Sequence, residues 1–157
     1  MAETEFVIEP GRHDIVMTRV FDAPPELVYE AYTDPEIVRR WMGPRKYEMV
    51  IDRWDFRPGG SYRYVHSAEG ETHGFRGVFH DTEPGERIIQ TFEWEGMPGH
   101  VCLETVTFEP VEGDRTKLVA VSVFQSIEDR DGMAASGMEG GASESMDRLA
   151  EVLAERR

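Results

Sequence analysis

The sequence predicts an α+β fold: a seven-stranded antiparallel sheet curled around one long C-terminal helix, with two short helices after the first strand. Two observations carry this. Between residues 46 and 124, runs rich in β-branched and aromatic residues alternate with Gly- and Pro-containing turn signals, as consecutive strands joined by tight turns do. After residue 138 the apolar spacing changes to three and four, the signature of an amphipathic helix. A sheet of this size and a single apolar helix stripe bury each other when the sheet wraps the helix. The gap left between them is a natural ligand cavity.

The elements follow in order. Residues 13–21 form the first strand, ended by Asp22-Ala23-Pro24-Pro25. Leu27, Val28, Ala31 and Tyr32 space a short helix over 25–32. Asp34 followed by Pro35 is an N-cap with proline at the first helical position, opening a second helix through Ile37, Val38 and Trp41. Breaks at Pro58-Gly59-Gly60, Ala68-Glu69-Gly70, Pro84-Gly85, Met97-Pro98-Gly99 and Glu112-Gly113-Asp114 then delimit strands near 46–56, 61–67, 72–81, 87–95, 101–109 and 115–124. In the final helix Met138, Ala142, Ser145, Met146, Leu149, Val152 and Leu153 share one face, ending near Ala154. The glycines at 132, 137, 140 and 141 weaken its beginning, so 127–137 is either a separate short helix or a mobile loop.

At 157 residues, without repeat, linker or low-complexity run, the chain is expected to be a single domain over 1–157. Hydrophobic residues at 39% and charged residues at 31% suit a folded soluble protein. The absence of an 18-residue apolar run and the acidic character of Met1–Pro10 argue against membrane insertion and a secretory leader, and for a cytoplasmic location. One cysteine, Cys102, leaves no disulfide framework and no cysteine zinc cage. Seventeen basic against 31 acidic residues give a net charge of −14, which repels phosphate backbones and so disfavours nucleic acid.

Strand alternation assigns the inner face. A symmetric hairpin at Glu69-Gly70 sets His66 opposite His73, Tyr64 opposite Phe75 and Tyr62 opposite Gly77. A symmetric turn at Pro84-Gly85 adds Phe92 and Trp94 to the same face, while Arg63, Arg76, His80 and Glu93 occupy the other. Gly77 is a gap that the neighbouring rings cover. Continuing across the next two turns brings His100, Cys102, Glu104, Val106 and Phe108, then Leu118, Ala120, Ser122 and Phe124, to this face. Gln90, Glu104 and Ser122 become a polar row inside an apolar surface. The candidate cavity lining is therefore Tyr62, Tyr64, His66, His73, Phe75, Phe79, Gln90, Phe92, Trp94, Glu104 and Ser122, with Trp41, Met138 and Met146 from the helices. The bland alternative is that these rings are plain core. An inward Glu104 must be hydrogen-bonded, protonated or at a wet opening, and can serve as a polar anchor or a general acid/base. His66 and His73 lack a third ligand at suitable spacing, so no metal and no cofactor are expected.

The run Val20-Phe21-Asp22-Ala23-Pro24-Pro25-Glu26-Leu27-Val28, with Asp34-Pro35 and Trp41, resembles the opening of START-like (SRPBCC) domains. Arg57-Pro58-Gly59-Gly60 before an aromatic strand, and Ser136-Gly137-Met138-Glu139-Gly140-Gly141 leading to Arg148-Leu149, resemble the Hsp90-ATPase-activator-homologue-like branch. The resemblance implies the helix-grip fold over nearly the whole chain. It implies no shared catalytic residue. The superfamily spans lipid carriers, hormone receptors, polyketide aromatase/cyclases and co-chaperones, and the branch is similar to the C-terminal domain of a eukaryotic co-chaperone whose N-terminal domain these residues do not include.

Three functions remain. The first is a binding module for a hydrophobic small molecule, held by aromatic burial and oriented by a few polar groups. The second is an enzyme of aromatase/cyclase type, in which Glu104 and His66 move protons on a bound polyketone. The third is a stress-related partner of a chaperone, its acidic exterior meeting a basic surface. No catalytic motif is evident, and the oligomeric state, a homodimer included, stays open.

Overall fold

A computed structural model describes residues 3–156 of the chain. The strands are β1 (Glu5–Val7), β2 (Asp14–Phe21), β3 (Glu48–Trp54), β4 (Ser61–Ala68), β5 (Glu71–Glu83), β6 (Arg87–Trp94), β7 (Val101–Val111) and β8 (Arg115–Val123). The helices are α1 (Pro25–Thr33), α2 (Pro35–Trp41), α3 (Ile127–Ala135) and α4 (Met138–Arg156). All eight strands form one antiparallel sheet in the order β1-β2-β8-β7-β6-β5-β4-β3.

The count is eight, not seven. β1 lies in the acidic segment before residue 10 and holds only three residues, too few for a period-two pattern to register. It is held by pairing with β2, Phe6 opposite Met17. The α1–α2 pair begins as expected. Asp34 accepts a hydrogen bond from the Glu36 amide at 3.0 Å with Pro35 at the first helical position, and the pair carries the chain from β2 to β3 at the far edge of the sheet.

The segment 127–137 resolves as a helix. The Ser126 hydroxyl caps α3 by accepting from the Asp129 amide at 3.0 Å. Gly137, at φ +87°, separates α3 from α4, a backbone angle that favours glycine. α4 runs two residues past the expected Ala154. Its Met146, Leu149, Val152 and Leu153 join Phe21, Tyr62, Phe108 and Leu118 of the sheet and Val28, Val38 and Trp41 of α1 and α2 in one core.

Polar contacts fix where α4 sits. Ser145 Oγ accepts from the Gly43 amide at 2.6 Å, and the Arg148 guanidinium donates to the Gly43 and Arg40 carbonyls, each at 2.7 Å. These carbonyls at the end of α2 lack helical partners, and a guanidinium fork satisfies both. At the opposite side Arg19 of β2, with a buried side chain, meets Asp147 at 2.6 Å. Three arginines in and after α2 are ion-paired as well, Arg40 with Glu155 and Arg45 with Glu151 of α4, and Arg39 with Glu36.

Candidate functional site

The β4–β5 register sets His66 opposite His73, Tyr64 opposite Phe75 and Tyr62 opposite Gly77. A Cβ on Gly77 would lie 2.0 Å from the Thr91 carbonyl oxygen and 2.6 Å from the Tyr62 ring, so the ring lies directly over the glycine. In the β5–β6 hairpin, Glu83 pairs with Arg87 across a three-residue loop, one residue out of the symmetric register. A bulge at His80 removes the offset, and Phe79 pairs with Gln90 and Phe75 with Trp94. Gln90 then pairs with Glu104, and Glu104 with Ser122, so three neighbouring strands place one polar row on the concave face.

Two neighbouring cavities open on this face. The inner one, about 230 Å³, lies between the sheet and α4 and contains Gln90, Glu104 and Ser122. Around them stand Ile15, Met17, Tyr32, Trp41, Met42, Trp54, Tyr62, Tyr64, Phe92, Val106 and Ala120, closed by Met138, Ala142, Ser145 and Met146. The outer one, about 450 Å³, lies beneath α3. Phe75, Phe92, Trp94, Val101, Cys102 and Phe124 form its floor, and Met97, His100, Glu128, Asp129, Gly132, Met133 and Ser136 its rim. Phe92 borders both. The outer cavity is the larger, but its rim is exposed, whereas hydrogen-bonding groups converge in the inner one.

A chain of hydrogen bonds crosses its floor. The Tyr62 hydroxyl donates to the Thr91 carbonyl at 2.6 Å, and Gln90 Nε2 lies 3.4 Å from that hydroxyl and 3.1 Å from Glu104 Oε1. Ser122, the register partner of Glu104 on β8, stands on the other side of the carboxylate. Glu104 is only half-buried by surface area, yet the surface it keeps faces the cavity wall and not open solvent. Burial pushes its pKa up to about 7, and the polar groups of Gln90 and Ser122 beside it recover only part of that cost. The same enclosure, with the Glu104 charge added, pushes the Tyr62, Tyr64 and Cys102 acidities out of the physiological range, so none of the three ionises near neutral pH.

α3 is held over the outer cavity by two contacts. The Arg130 side chain is buried and donates to the Asp14 carbonyl at 3.1 Å and to Asp131. At the rim, His100 Nδ1 sits 3.0 Å from both carboxylate oxygens of Asp129.

The sequence-predicted residues divide three ways. Trp41, Tyr62, Tyr64, Gln90, Glu104, Ser122, Met138 and Met146 border the inner cavity, Phe75 and Trp94 the outer, and Phe92 both. His66, His73 and Phe79 border neither. Phe79 is filled in by Trp54, Phe56 and Tyr62 and is core. His66 and His73 lie at the end of the sheet where Tyr47 covers them, its ring stacked on His66 at 5.7 Å and edge-on to His73 at 5.6 Å. Burial lowers the His66 pKa to about 4, although the nearby Met42 backbone favours the charged form. Among the described residues no three or more His, Cys, Asp or Glu side chains gather as a metal site. Sequence reasoning missed the α3 wall. Its signal was present, since Glu128, Asp129, Gly132, Met133 and Ser136 recur at helical spacing, but the glycines and polar residues carry no apolar stripe.

Comparison with known proteins agrees with this architecture. A protein of Rhodobacter sphaeroides with a crystal structure is 30% identical, with a TM-score of 0.88 over 98% of this chain and 99% of that one. A protein of Arthrobacter aurescens with an NMR structure is 26% identical, with a TM-score of 0.88 over 96% of this chain and 91% of its own. Protein CV1439 of Chromobacterium violaceum is 29% identical, with a TM-score of 0.77 over 88% and 96%. No curated protein is significantly similar. Among the described residues no helix is long and apolar enough to cross a membrane. The family described as "Activator of Hsp90 ATPase homolog 1-like protein" matches residues 22–154, and with the sheet wrapped on α4 as its START-like (SRPBCC) resemblance implies, the chain belongs to that family.

Proposed function

We propose that this protein binds an apolar small molecule in the inner cavity, reached from the outer one beneath α3. The observation that carries the reading is the lining itself. Aromatic, methionine and alanine side chains surround a space of about 230 Å³, and one row of Gln90, Glu104 and Ser122 is available to orient what enters. Apolar walls with a few convergent polar groups are how small-molecule sites are built. The SRPBCC fold, typical of ligand-binding modules, supports the same reading. A cytoplasmic location is part of the proposal.

The test has two parts. Native mass spectrometry of the purified protein is expected to show a retained small molecule on a fraction of the chains. Titration with the neutral fluorophore N-phenyl-1-naphthylamine is expected to give saturable binding, which Ala142→Phe abolishes by filling the cavity from α4. Binding unchanged in a folded A142F protein, or no binding of the fluorophore or of any smaller aromatic probe, charged or neutral, sinks the reading.

One observation favours a second reading, proton transfer on a bound substrate. A carboxyl group with a pKa of about 7, inside a cavity, is matched to acid/base work near neutral pH. Under that reading Glu104→Gln abolishes turnover and leaves binding nearly intact. Under the binding reading there is no turnover to lose.

A further inference from the structure

The binding reading leaves open what the polar row recognises, and its charge balance answers. Among the described residues Glu104 is the one ionisable acid or base, tyrosines apart, on the inner cavity wall, which carries no Lys, Arg or His. Its hydrogen-bond partner Gln90 and its cross-strand neighbour Ser122 are neutral. A carboxylate has about four acceptor sites, so capacity remains directed at the cavity. The outer cavity adds Glu128 and Asp129, and its one basic group, His100, already faces Asp129. The route inward thus presents carboxylates and no Lys or Arg. The wall of the same cavity includes the rings of Trp54, Tyr62, Tyr64 and Phe92. Aromatic faces attract a cation, and more strongly where water is excluded.

Resting on the small-molecule reading, we propose that the ligand is an organic cation: an apolar molecule with a protonated amine that pairs with Glu104 while its hydrocarbon part packs on the aromatic wall. A neutral ligand leaves Glu104 either protonated or charged without a partner, and an anion adds a second charge of the same sign beside its ionised form. An ammonium group supplies the missing charge and donates to the free acceptor sites. The net charge of −14 favours encounter with cations over anions.

Three probes of one shape test this: 1-naphthylmethylamine, 1-naphthalenemethanol and 1-naphthoate, titrated by calorimetry at about pH 8, where the first is a cation and Glu104 is ionised. The amine is expected to bind at least about tenfold more tightly than the alcohol, and the carboxylate most weakly. In E104Q the amine and alcohol are expected to converge to within about twofold, with alcohol binding retained. Near neutral pH, amine binding to the unsubstituted protein should release protons, seen as a heat that depends on the buffer's ionisation enthalpy. Equal affinity for amine and alcohol overturns the inference, as does a charge preference that survives in E104Q. N-phenyl-1-naphthylamine separates the two levels. If it binds while the naphthyl series shows no charge preference, the cation inference alone falls. If neither it nor any member of the series binds, the small-molecule reading falls and the inference with it.

Discussion

Gly77 and Gly132 show how far a single hydrogen-to-methyl change depends on its surroundings. Gly77 has the Tyr62 ring and the Thr91 carbonyl where its Cβ would be, whereas nothing lies within 4 Å of the corresponding point on Gly132, an exposed position inside α3. Gly77→Ala must displace Tyr62 from its bond to Thr91 and strain the β5–β6 ladder, an overpacking cost of about 2–3 kcal/mol. Gly132→Ala raises helix propensity with no clash and should stabilise by about 0.5–1 kcal/mol. Urea unfolding midpoints moving in opposite directions are the expected result. Equal shifts would mean that Tyr62 does not rest on Gly77. The part Gly77 plays was readable in the sequence, since a glycine between rings in an alternating strand leaves a hollow that a neighbouring ring fills. The enclosure of His66 was not, because it depends on Gly43 and Tyr47. A Cβ on Gly43 would touch the imidazole at 2.5 Å, and both residues come from the loop that follows α2.

Among the elements, strands declared themselves and joints did not. Alternation over β4 to β8 gave the correct face because the rows Tyr62–Tyr64, Phe92–Trp94 and Cys102–Glu104–Val106–Phe108 each run several residues in phase. The bulge at His80 was invisible for a physical reason: it offsets the three-residue loop at 84–86, so the register deep in the sheet is the same as with neither. β1 and α3 were missed or left undecided because they are held by contacts to other elements. α3 in particular depends on Arg130, whose buried guanidinium reaches the Asp14 carbonyl of β2. Arg130→Ala removes a charged donor worth about 1.5–3 kcal/mol. Amide exchange in 127–135 should then quicken at least about tenfold, while exchange in the second half of α4 stays unchanged. Uniform acceleration through α4 would show that the two helices open as one unit.

For the molecule as a whole, two buried groups set opposed pH dependences. Glu104 has a folded pKa of about 7, above its usual value. The stability it allows is therefore full below about 4.5 and is lost as pH rises through 7. His66 has a folded pKa of about 4, below its usual 6.5. The protein keeps that ring neutral, so stability is full above 6.5 and is lost as pH falls through 4. Each effect amounts to about 3 kcal/mol at most, and the windows overlap, so the fold takes up and releases nearly equal protons between about pH 4.5 and 6.5. Stability measured by urea unfolding should change little over that range on account of these two groups. E104Q removes one side of the balance. Its stability should climb with pH through the window, and its gain over the unsubstituted protein should grow to its full size above about pH 7. A gain independent of pH would place the Glu104 carboxyl in ordinary solvent. The sequence indicated that Glu104 faces inward, but the balance with His66 needed the fold, since the two side chains serve different parts of it.

The element that closes the concave face is made after all eight strands. Until α4 docks, Tyr62, Tyr64 and Phe92 lack the wall of Met138, Ala142, Ser145 and Met146 that closes the inner cavity, and Ser145 and Arg148 have yet to reach Gly43 and Arg40. At about 5–20 residues per second, the 19 residues of α4 take roughly 1–4 s to synthesise. For that interval a nascent chain presents a curved aromatic trough, the same surface that later encloses the inner cavity. The feature that makes room for a guest in the finished protein is thus, during birth on the ribosome, an adhesive hollow that waits for a helix made after the whole sheet.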